Sequence, residues 1–375
     1  MLSCGEPSGD LYAGALTMEL RRQAPSVEVF GFGGEQMARA GARLVGTYAG
    51  LSVTGLTEAI RVLPRSYAML RQLVRAAAET RPDVFVAIDF PDFNFRLMAA
   101  IRRLGIPVVY YISPQLWAWR AGRMKTMKRL VHRVLVIFPF EEELYRREGV
   151  AAQFVGHPLV DLARPGEARD PFLRACGLNP ADPTIALLPG SRRSEVSHIL
   201  PGIAAAVPLI KQQLPKVQFV LAAAPNLPKD AFGAVDPSIA VVHGRADDVL
   251  AASDVVITAS GTATVQAALH ERPMVVVYRL SQLTYRLGKP FVKVDTYAMA
   301  NLVAGRKVVP ELIQQDFTPE RVAAEAVSFL TDSRRYSATR DALREVRHRL
   351  GAPGASGRAA GAVLEVAARN GARSA

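Results

Sequence analysis

Val84-Phe-Val-Ala-Ile-Asp-Phe-Pro-Asp-Phe-Asn94 decides the fold class. Its first five residues are apolar without alternation, the pattern of a strand covered on both faces in a parallel sheet. Pro91 cannot donate to a strand ladder, so the strand ends and Asp89 falls on the exit loop, with Asp92 and Asn94 close behind. Similar apolar runs recur at Val27–Phe30, Val108–Ile112, Val134–Ile137, Ile185–Leu188, Val217–Ala222, Val255–Thr258 and Met274–Val277. Helix-period segments lie between most of them: Leu11–Gln23, Tyr67–Glu79, Glu141–Arg147, Ile199–Gln213 and Thr264–Leu269. This alternation predicts an α/β protein of parallel sheets with helices on both faces.

A chain of 375 residues is too long for one ordinary core and fits two domains. The strand pattern lapses over residues 159–183, where Asn179-Pro and Asp182-Pro follow Arg164-Pro-Gly. The expected plan is a Rossmann-like half over 1–160, a linker over 161–183 and a second such half over 184–335. C-terminal helices fill 336–375, at Ser337–Leu350 and Arg358–Ala368, separated by a Gly-rich break. Met1-Leu-Ser-Cys leaves little of a first strand, which is therefore short or begins upstream of Met1.

Half of the residues are hydrophobic and 21% are charged, as in a folded body rather than a disordered one. No apolar run reaches the roughly 18 residues of a spanning helix, and no signal-peptide pattern opens the chain. Cys4 and Cys176 match no metal spacing and read as reduced cytoplasmic thiols, so neither a metal nor another cofactor is expected. The net charge of +12 is uneven: residues 59–140 carry 14 Lys/Arg against 4 Asp/Glu, and residues 334–375 carry 9 against 3. Two basic regions on a near-neutral body point to an anionic partner, whether lipid surface, phosphorylated substrate or nucleic acid, or else to a generally arginine-rich surface.

In open parallel sheets, ligands bind beyond the carboxyl ends of the strands, and five loops there hold unusual sequence. Gly5-Glu-Pro-Ser-Gly-Asp10 opens a helix and offers free N–H groups to a ligand, or Ser8 or Asp10 simply caps that helix. Asp89 is placed to take a proton from an attacking hydroxyl, while Asp92 and Asn94 could equally form an Asx-turn or a cap. Ser113-Pro-Gln-Leu-Trp-Ala-Trp-Arg120 precedes a basic run from Arg120 to Arg133, so Trp117, Trp119, Arg120 and Arg123 suit nucleic-acid bases, a lipid headgroup layer or plain packing. Leu188-Pro-Gly-Ser-Arg192 makes a tight turn at Gly190 and Ser191 into a helix, and Arg192 adds a forked phosphate donor. Ser260-Gly-Thr-Ala-Thr264 repeats that logic, and two such loops on one domain can bracket a diphosphate.

Together with Phe138-Pro-Phe-Glu141, Gly156-His157 and Asn301-Leu-Val-Ala-Gly-Arg306, these loops resemble the lipid-A-disaccharide synthase family in order and spacing, from residue 3 to about 315. The resemblance implies a GT-B fold, with two Rossmann-like domains facing across a cleft and C-terminal helices crossing back to the first. It implies inverting, metal-independent transfer from UDP-2,3-diacylglucosamine to 2,3-diacylglucosamine 1-phosphate, giving a β-1,6 disaccharide 1-phosphate and UDP. Asp89 then corresponds to the base, and Glu6, Ser8 and Asp10 face the acceptor or the reacting centre. Gly190, Ser191 and Arg192 would hold the UDP together with Ser260, Gly261, Thr262, Ala263 and Thr264. Asn301 and Arg306 fall near the donor on resemblance alone. A peripheral protein of the cytoplasmic face of the inner membrane, with a homodimer made by C-terminal exchange, is also implied.

One position departs from that pattern. Related transferases place a glutamate on the helix after the Ser260–Thr264 loop to hold the ribose hydroxyls, and here Gln266 stands in its place. An amide offers one neutral acceptor where a carboxylate offers a charged pair, which bears on donor affinity rather than on reaction type. Acylated substrates also account for the charge map. Leu51–Leu63 and Tyr67–Val74 supply apolar side chains, Arg61, Arg65, Arg71 and Arg75 supply cations, and each exposed cation near anionic lipid adds about 1 kcal/mol. The same segment also reads as an amphipathic helix packed on its own domain.

Other readings are another GT-B UDP-sugar transferase, a UDP-sugar 2-epimerase, a non-catalytic nucleotide-binding module and a basic nucleic-acid-binding protein. An epimerase would lack the Asp89-Phe-Pro-Asp92 loop and the tryptophan pair, and a nucleotide-binding module would leave the first-domain carboxylates unexplained. No nucleic-acid motif accompanies the basic run.

Overall fold

Two parallel sheets organise the chain in the computed structural model, which describes residues 1–48, 56–114, 116, 121–233, 235–280 and 296–374. One compact unit comprises Met1–Pro158 with Leu350–Ala375, and the other Leu159–Arg349. In the first unit the strands run in the order β3-β2-β1-β4-β5-β6-β7. They are β1 Leu2–Ser3, β2 Phe30–Gly33, β3 Arg43–Thr47, β4 Phe85–Ile88, β5 Val108–Tyr111, β6 Arg133–Val136 and β7 Ala152–Phe154. The second unit runs β10-β9-β8-β11-β12-β13. Its strands are β8 Thr184–Leu188, β9 Gln218–Ala223, β10 Ile239–His243, β11 Val255–Ala259, β12 Met274–Tyr278 and β13 Glu311–Ile313. Each unit has its own apolar core of sheet and helix side chains, such as Phe85, Tyr110 and Leu97 in the first and Ile185, Ile257 and Phe317 in the second.

The apolar runs of the sequence are the central strands. The four edge strands, β3, β7, β10 and β13, fall outside those runs, although β10 is itself apolar over Ile239–Val242; being only half covered, they keep most of their residues half-buried or exposed. β1 is only two residues long yet lies between β2 and β4, paired parallel to both. The expected strand Val27–Phe30 slides to Phe30–Gly33. Gly31 explains the slide: a Cβ there would lie 1.9 Å from the Leu2 carbonyl oxygen, so only glycine lets β1 approach at that point.

Two expected boundaries move. Residues 161–183 are built into the second unit rather than left as a free linker. Arg169 forms a bidentate pair with Asp254 (3.1 and 3.0 Å), Asp248 accepts from the N–H groups of Gly166 and Glu167 (2.7 and 2.9 Å), and Phe172 and Leu173 are buried. The helix Ser333–Arg349 also stays with the second unit, packing on the helices Thr262–Leu269, Met299–Ala304 and Pro319–Thr331. Return to the first unit begins at Leu350. There Gly351 passes Gly156 so closely that a Cβ would sit 3.1 Å from the Gly156 Cα, and both glycines have positive φ (95° and 85°). Arg358 donates to the carbonyls of Val155, Ala352 and Pro353 (2.8, 2.6 and 2.7 Å), and the helix Ala355–Ser374 lies on Pro7–Gln23 through small residues such as Ala359 and Ala360. Only the second of the two expected C-terminal helices therefore crosses back.

His157 sits beside this crossing, its N–H donating to the Leu350 carbonyl (2.8 Å) and its ring packed between Tyr12 and Phe138. Burial pushes its imidazole down to about 3, so the folded state holds it neutral. A depressed histidine pKa means that the unfolded chain binds the extra proton, so stability is lost as pH falls from the unfolded value near 6.5 towards 3. The slope contributed is about 1.4 kcal/mol per pH unit at most. His157→Phe is expected to show a shallower fall in urea midpoint over that window than the wild type; parallel curves would rule out this coupling.

Candidate active site

Strand order reverses between β1 and β4 in the first unit and between β8 and β11 in the second. Loops leaving two adjacent strands in opposite directions open a crevice at their carboxyl ends. The unusual loops of the sequence occupy these places: Cys4–Asp10 follows β1, Asp89–Asn94 follows β4, Gly190–Arg192 follows β8 and Ser260–Thr264 follows β11.

In the first unit the two loops are in contact. A Cβ on Gly5 would lie 2.2 Å from the Phe90 ring, so glycine is required for Phe90 to cover the turn. Glu6 is the N-cap of the helix Pro7–Gln23, with Ser8 in its first turn, and both are half-buried. Asp89 and Phe90 are consecutive non-glycine residues in the left-handed region (φ 45° and 50°), an arrangement that costs about 1–2 kcal/mol per residue and needs external support. Asn94, fully buried, supplies it. Its Nδ2 donates to the carbonyls of Asp89 (2.8 Å) and Ser3 (3.2 Å), and its Oδ1 accepts from the Ser3 hydroxyl (2.7 Å). The Tyr110 hydroxyl donates to the same Asp89 carbonyl (2.9 Å), and burial, followed by the Asp89 charge, raises that phenol's pKa and keeps it a donor. The outcome is a half-buried Asp89 carboxylate on a braced loop, beside Cys4, whose thiol burial and the Asp10 and Asp89 charges keep protonated.

The other first-unit candidates divide. Asp10 is 2% exposed, and its carboxylate accepts from the N–H groups of Gly34, Gln36 and Met37 (2.8, 2.9 and 3.1 Å). It therefore caps the helix Glu35–Arg39 instead of its own, which commits both of its oxygens to backbone. Asp92 is exposed and pairs with Arg123, whose guanidinium also lies over the Phe95 ring, 5.1 Å from its centroid. Ser113 receives the Tyr145 hydroxyl (3.0 Å) in the core. Trp117, Trp119 and Arg120 lie outside the described residues. Of the segment Leu51–Leu63, residues 51–55 lie outside them too. The helix Leu56–Thr80 buries Leu73 and Ala77 and turns Leu63, Tyr67 and Arg71 outward at four-residue spacing, Arg71 stacked on the Tyr67 ring.

In the second unit, the turn at Gly190 (φ 127°) leads into the helix Arg193–Gln213. Its N–H groups at Ser191 and Arg192 are taken by Glu195 (3.0 and 3.3 Å), which also holds the Arg192 guanidinium at 3.1 Å. An anion arriving here competes with that glutamate, a residue for which the sequence reading had no role; Glu three positions after an N-cap is its signature. The Ser260–Thr264 loop is more open. Gly261 (φ 141°) borders free space and Thr262 is exposed. Of the first N–H groups of the helix Thr262–Leu269, that of Thr264 donates to the Gly261 carbonyl (3.0 Å), while those of Thr262 and Ala263 come before any intrahelical acceptor. The Ser260 hydroxyl donates to the Tyr297 carbonyl (2.8 Å), and the Thr264 hydroxyl donates to the Gly261 carbonyl (2.8 Å). Ala263 is half-buried between them. Gln266 points its amide at Asp247.

Two donor-side candidates serve other partners. Asn301 is buried and its amide is saturated: Nδ2 donates to Val309 O and Glu311, and Oδ1 accepts from the N–H groups of Val308 and Val309. It organises the turn into β13, with Glu311 bonded in turn to the N–H groups of Tyr297 and Ala298. Arg306 is exposed and pairs with Glu345 at 3.2 Å, a contact worth under about 1 kcal/mol.

Comparison with known proteins identifies the family. The lipid-A-disaccharide synthetase family model matches residues 1–366. The lipid-A-disaccharide synthase of Anaeromyxobacter sp. (strain K) is 44% identical over 374 residues, covering 98% of this chain and 97% of that protein. That of Myxococcus xanthus is 42% identical over 370 residues, covering 98% and 97%. Among solved structures, a UDP-GlcNAc 2-epimerase from Neisseria meningitidis has a TM-score of 0.68 at 11% identity, covering 97% of this chain and 98% of that one. The kitacinnamycin glycotransferase has a TM-score of 0.67 at 20% identity, with the same coverage. At such identities these two structures establish the GT-B fold and no more, and it is the match in sequence along nearly the whole chain that separates transferase from epimerase. The chain belongs to the lipid-A-disaccharide synthase family and is a glycosyltransferase acting on a UDP-sugar donor and a sugar-phosphate acceptor.

Proposed function

We propose that the protein transfers the 2,3-diacylglucosaminyl group of UDP-2,3-diacylglucosamine to the 6-hydroxyl of 2,3-diacylglucosamine 1-phosphate. Asp89 takes the hydroxyl proton, the acceptor oxygen attacks the anomeric carbon from the face opposite UDP, and the bond to UDP breaks with its electron pair leaving on the diphosphate. The braced Asp89 carboxylate at one switch point, with an open helix N-terminus and Arg192 at the other, is the observation that carries this reading. Glu6 and Ser8, on the loop touching Phe90, are proposed to orient the acceptor, and Ser260, Gly261 and Thr262 to receive the diphosphate.

The decisive assay incubates purified protein with both acylated sugars in detergent and follows the disaccharide 1-phosphate and UDP. Absence of product with short and long acyl chains alike would refute the assignment; formation of an epimerised UDP-sugar would replace it. Arg192→Ala is expected to lower kcat/KM about 10- to 100-fold, the value of one hydrogen bond to a charged group. An unchanged kcat/KM would remove Arg192 from the donor site. Since backbone N–H groups and Arg192 meet the charge on UDP, turnover is expected to persist in EDTA; inhibition reversed by Mg²⁺ would contradict that.

No described helix is long and apolar enough to cross a membrane. The outward stripe of Leu63, Tyr67 and Arg71, flanked by exposed Arg65 and Arg75, is proposed to rest on the anionic cytoplasmic face of the inner membrane. A homodimer by exchange of the C-terminal helix is proposed on the family resemblance.

A further inference from the structure

We infer that Asp247, rather than residue 266, supplies the carboxylate that holds the ribose diol of the donor nucleotide in this chain. The inference rests on the reading of the second unit as the donor site. Thr262, Gln266 and His270 follow one another at four-residue spacing, on one stripe running from the open N-terminus of the helix Thr262–Leu269 to its C-cap. Asp247, in the first turn of the neighbouring helix Ala246–Ala252, reaches this stripe. Its two oxygens each lie 3.2 Å from Gln266 Nε2, and Oδ1 lies 2.9 Å from His270 Nε2.

Chemistry fixes the orientation of both partners. A carboxylate only accepts, so the NH₂ end of Gln266 faces Asp247, and His270 carries its proton on Nε2. A glutamate at 266 would instead set two carboxylates at that contact distance, where like charge opposes both being ionised. The two positions therefore hold one carboxylate between them. Here it is Asp247, and the glutamine amide has become its support. About four acceptor directions surround a carboxylate and three are engaged, while the side chain stays 23% exposed. Gln266, which Asp247 meets, lies one helical turn after Thr262, within reach of the ribose of a nucleotide whose diphosphate sits at the helix N-terminus.

Titration calorimetry of the full chain with UDP and with 2′,3′-dideoxy-UDP tests this. The wild type is expected to bind UDP at least about tenfold tighter than the dideoxy analogue, since charge-assisted hydrogen bonds are lost with the diol. Asp247→Asn is expected to reduce that preference to about twofold, whereas Arg192→Ala weakens both ligands and leaves the ratio intact. Gln266→Glu is expected to weaken UDP about tenfold through repulsion, and Asp247→Asn combined with Gln266→Glu to recover both affinity and preference. Circular dichroism of each variant separates misfolding from lost binding, and the recovering double variant does so independently. An undiminished preference in folded Asp247→Asn, or wild-type UDP affinity in Gln266→Glu, would overturn the inference. A wild-type protein that binds neither ligand would instead overturn the donor-site reading itself.

Discussion

Asp89→Ala is expected to lower kcat by about 10³-fold or more, within the range general-base catalysis contributes, while UDP affinity changes by less than about twofold. The reason lies in where each function sits. Asp89 stands at the β1/β4 switch point of the first unit, and the loops proposed to hold the nucleotide are all in the second. Asp89→Asn is the sharper variant, because asparagine tolerates the left-handed backbone found there (φ 45°) and keeps the shape while removing the base. Equal loss in both variants, with single-turnover chemistry slowed and UDP titration unchanged, is the expected result. Substantial residual turnover in Asp89→Asn would transfer the role of base to Asp92 or to Glu6.

Asn94→Leu is expected to destabilise the first unit by about 2–4 kcal/mol and to reduce kcat by about 100-fold or more in the protein that remains folded. Leucine matches asparagine in size but makes no hydrogen bonds. The Ser3 hydroxyl loses its acceptor in a site closed to water, and the Asp89 carbonyl loses the Asn94 amide while keeping the Tyr110 hydroxyl. Two left-handed residues then lack the brace that holds them, and the Asp89 side chain is no longer aimed. Urea denaturation measures the first effect. The second is read as a fall in kcat with little change in UDP affinity, and as a larger loss than Tyr110→Phe shows, since that variant removes one of the two donors. A stable, fully active Asn94→Leu protein would make Asn94 a bystander.

The extent to which this site was legible in the sequence follows from how local each feature is. Asp89 after an apolar run and before Pro91 is a local fact, and so are the glycine turns at Gly190 and Gly261. Asp10 looked equally chemical in its loop, but its carboxylate meets the N–H groups of Gly34, Gln36 and Met37, which no nearby sequence announces. Asn94 and Asn301 were ambiguous for the same reason. An amide side chain shows no preference between ligand and backbone until the fold brings a carbonyl to it.

The sequence by itself determined the fold class, the two Rossmann-like halves, the candidate loops at the strand ends and the family. These are written in periodicity, in turn residues and in short motifs, all of which act over a few neighbouring positions. Tertiary structure alone decided the four edge strands, the point at Leu350 where the chain returns to its first unit, and which polar groups are already satisfied. Edge strands lack the two-sided burial that marks a strand in sequence, and hydrogen-bond partners some 25 to 90 residues apart, such as Asp10 with Gly34 and Ser3 with Asn94, meet only once the sheet has formed. Gln266 shows both sides of this. Its identity was plain from the start, and its meaning came only with Asp247 beside it.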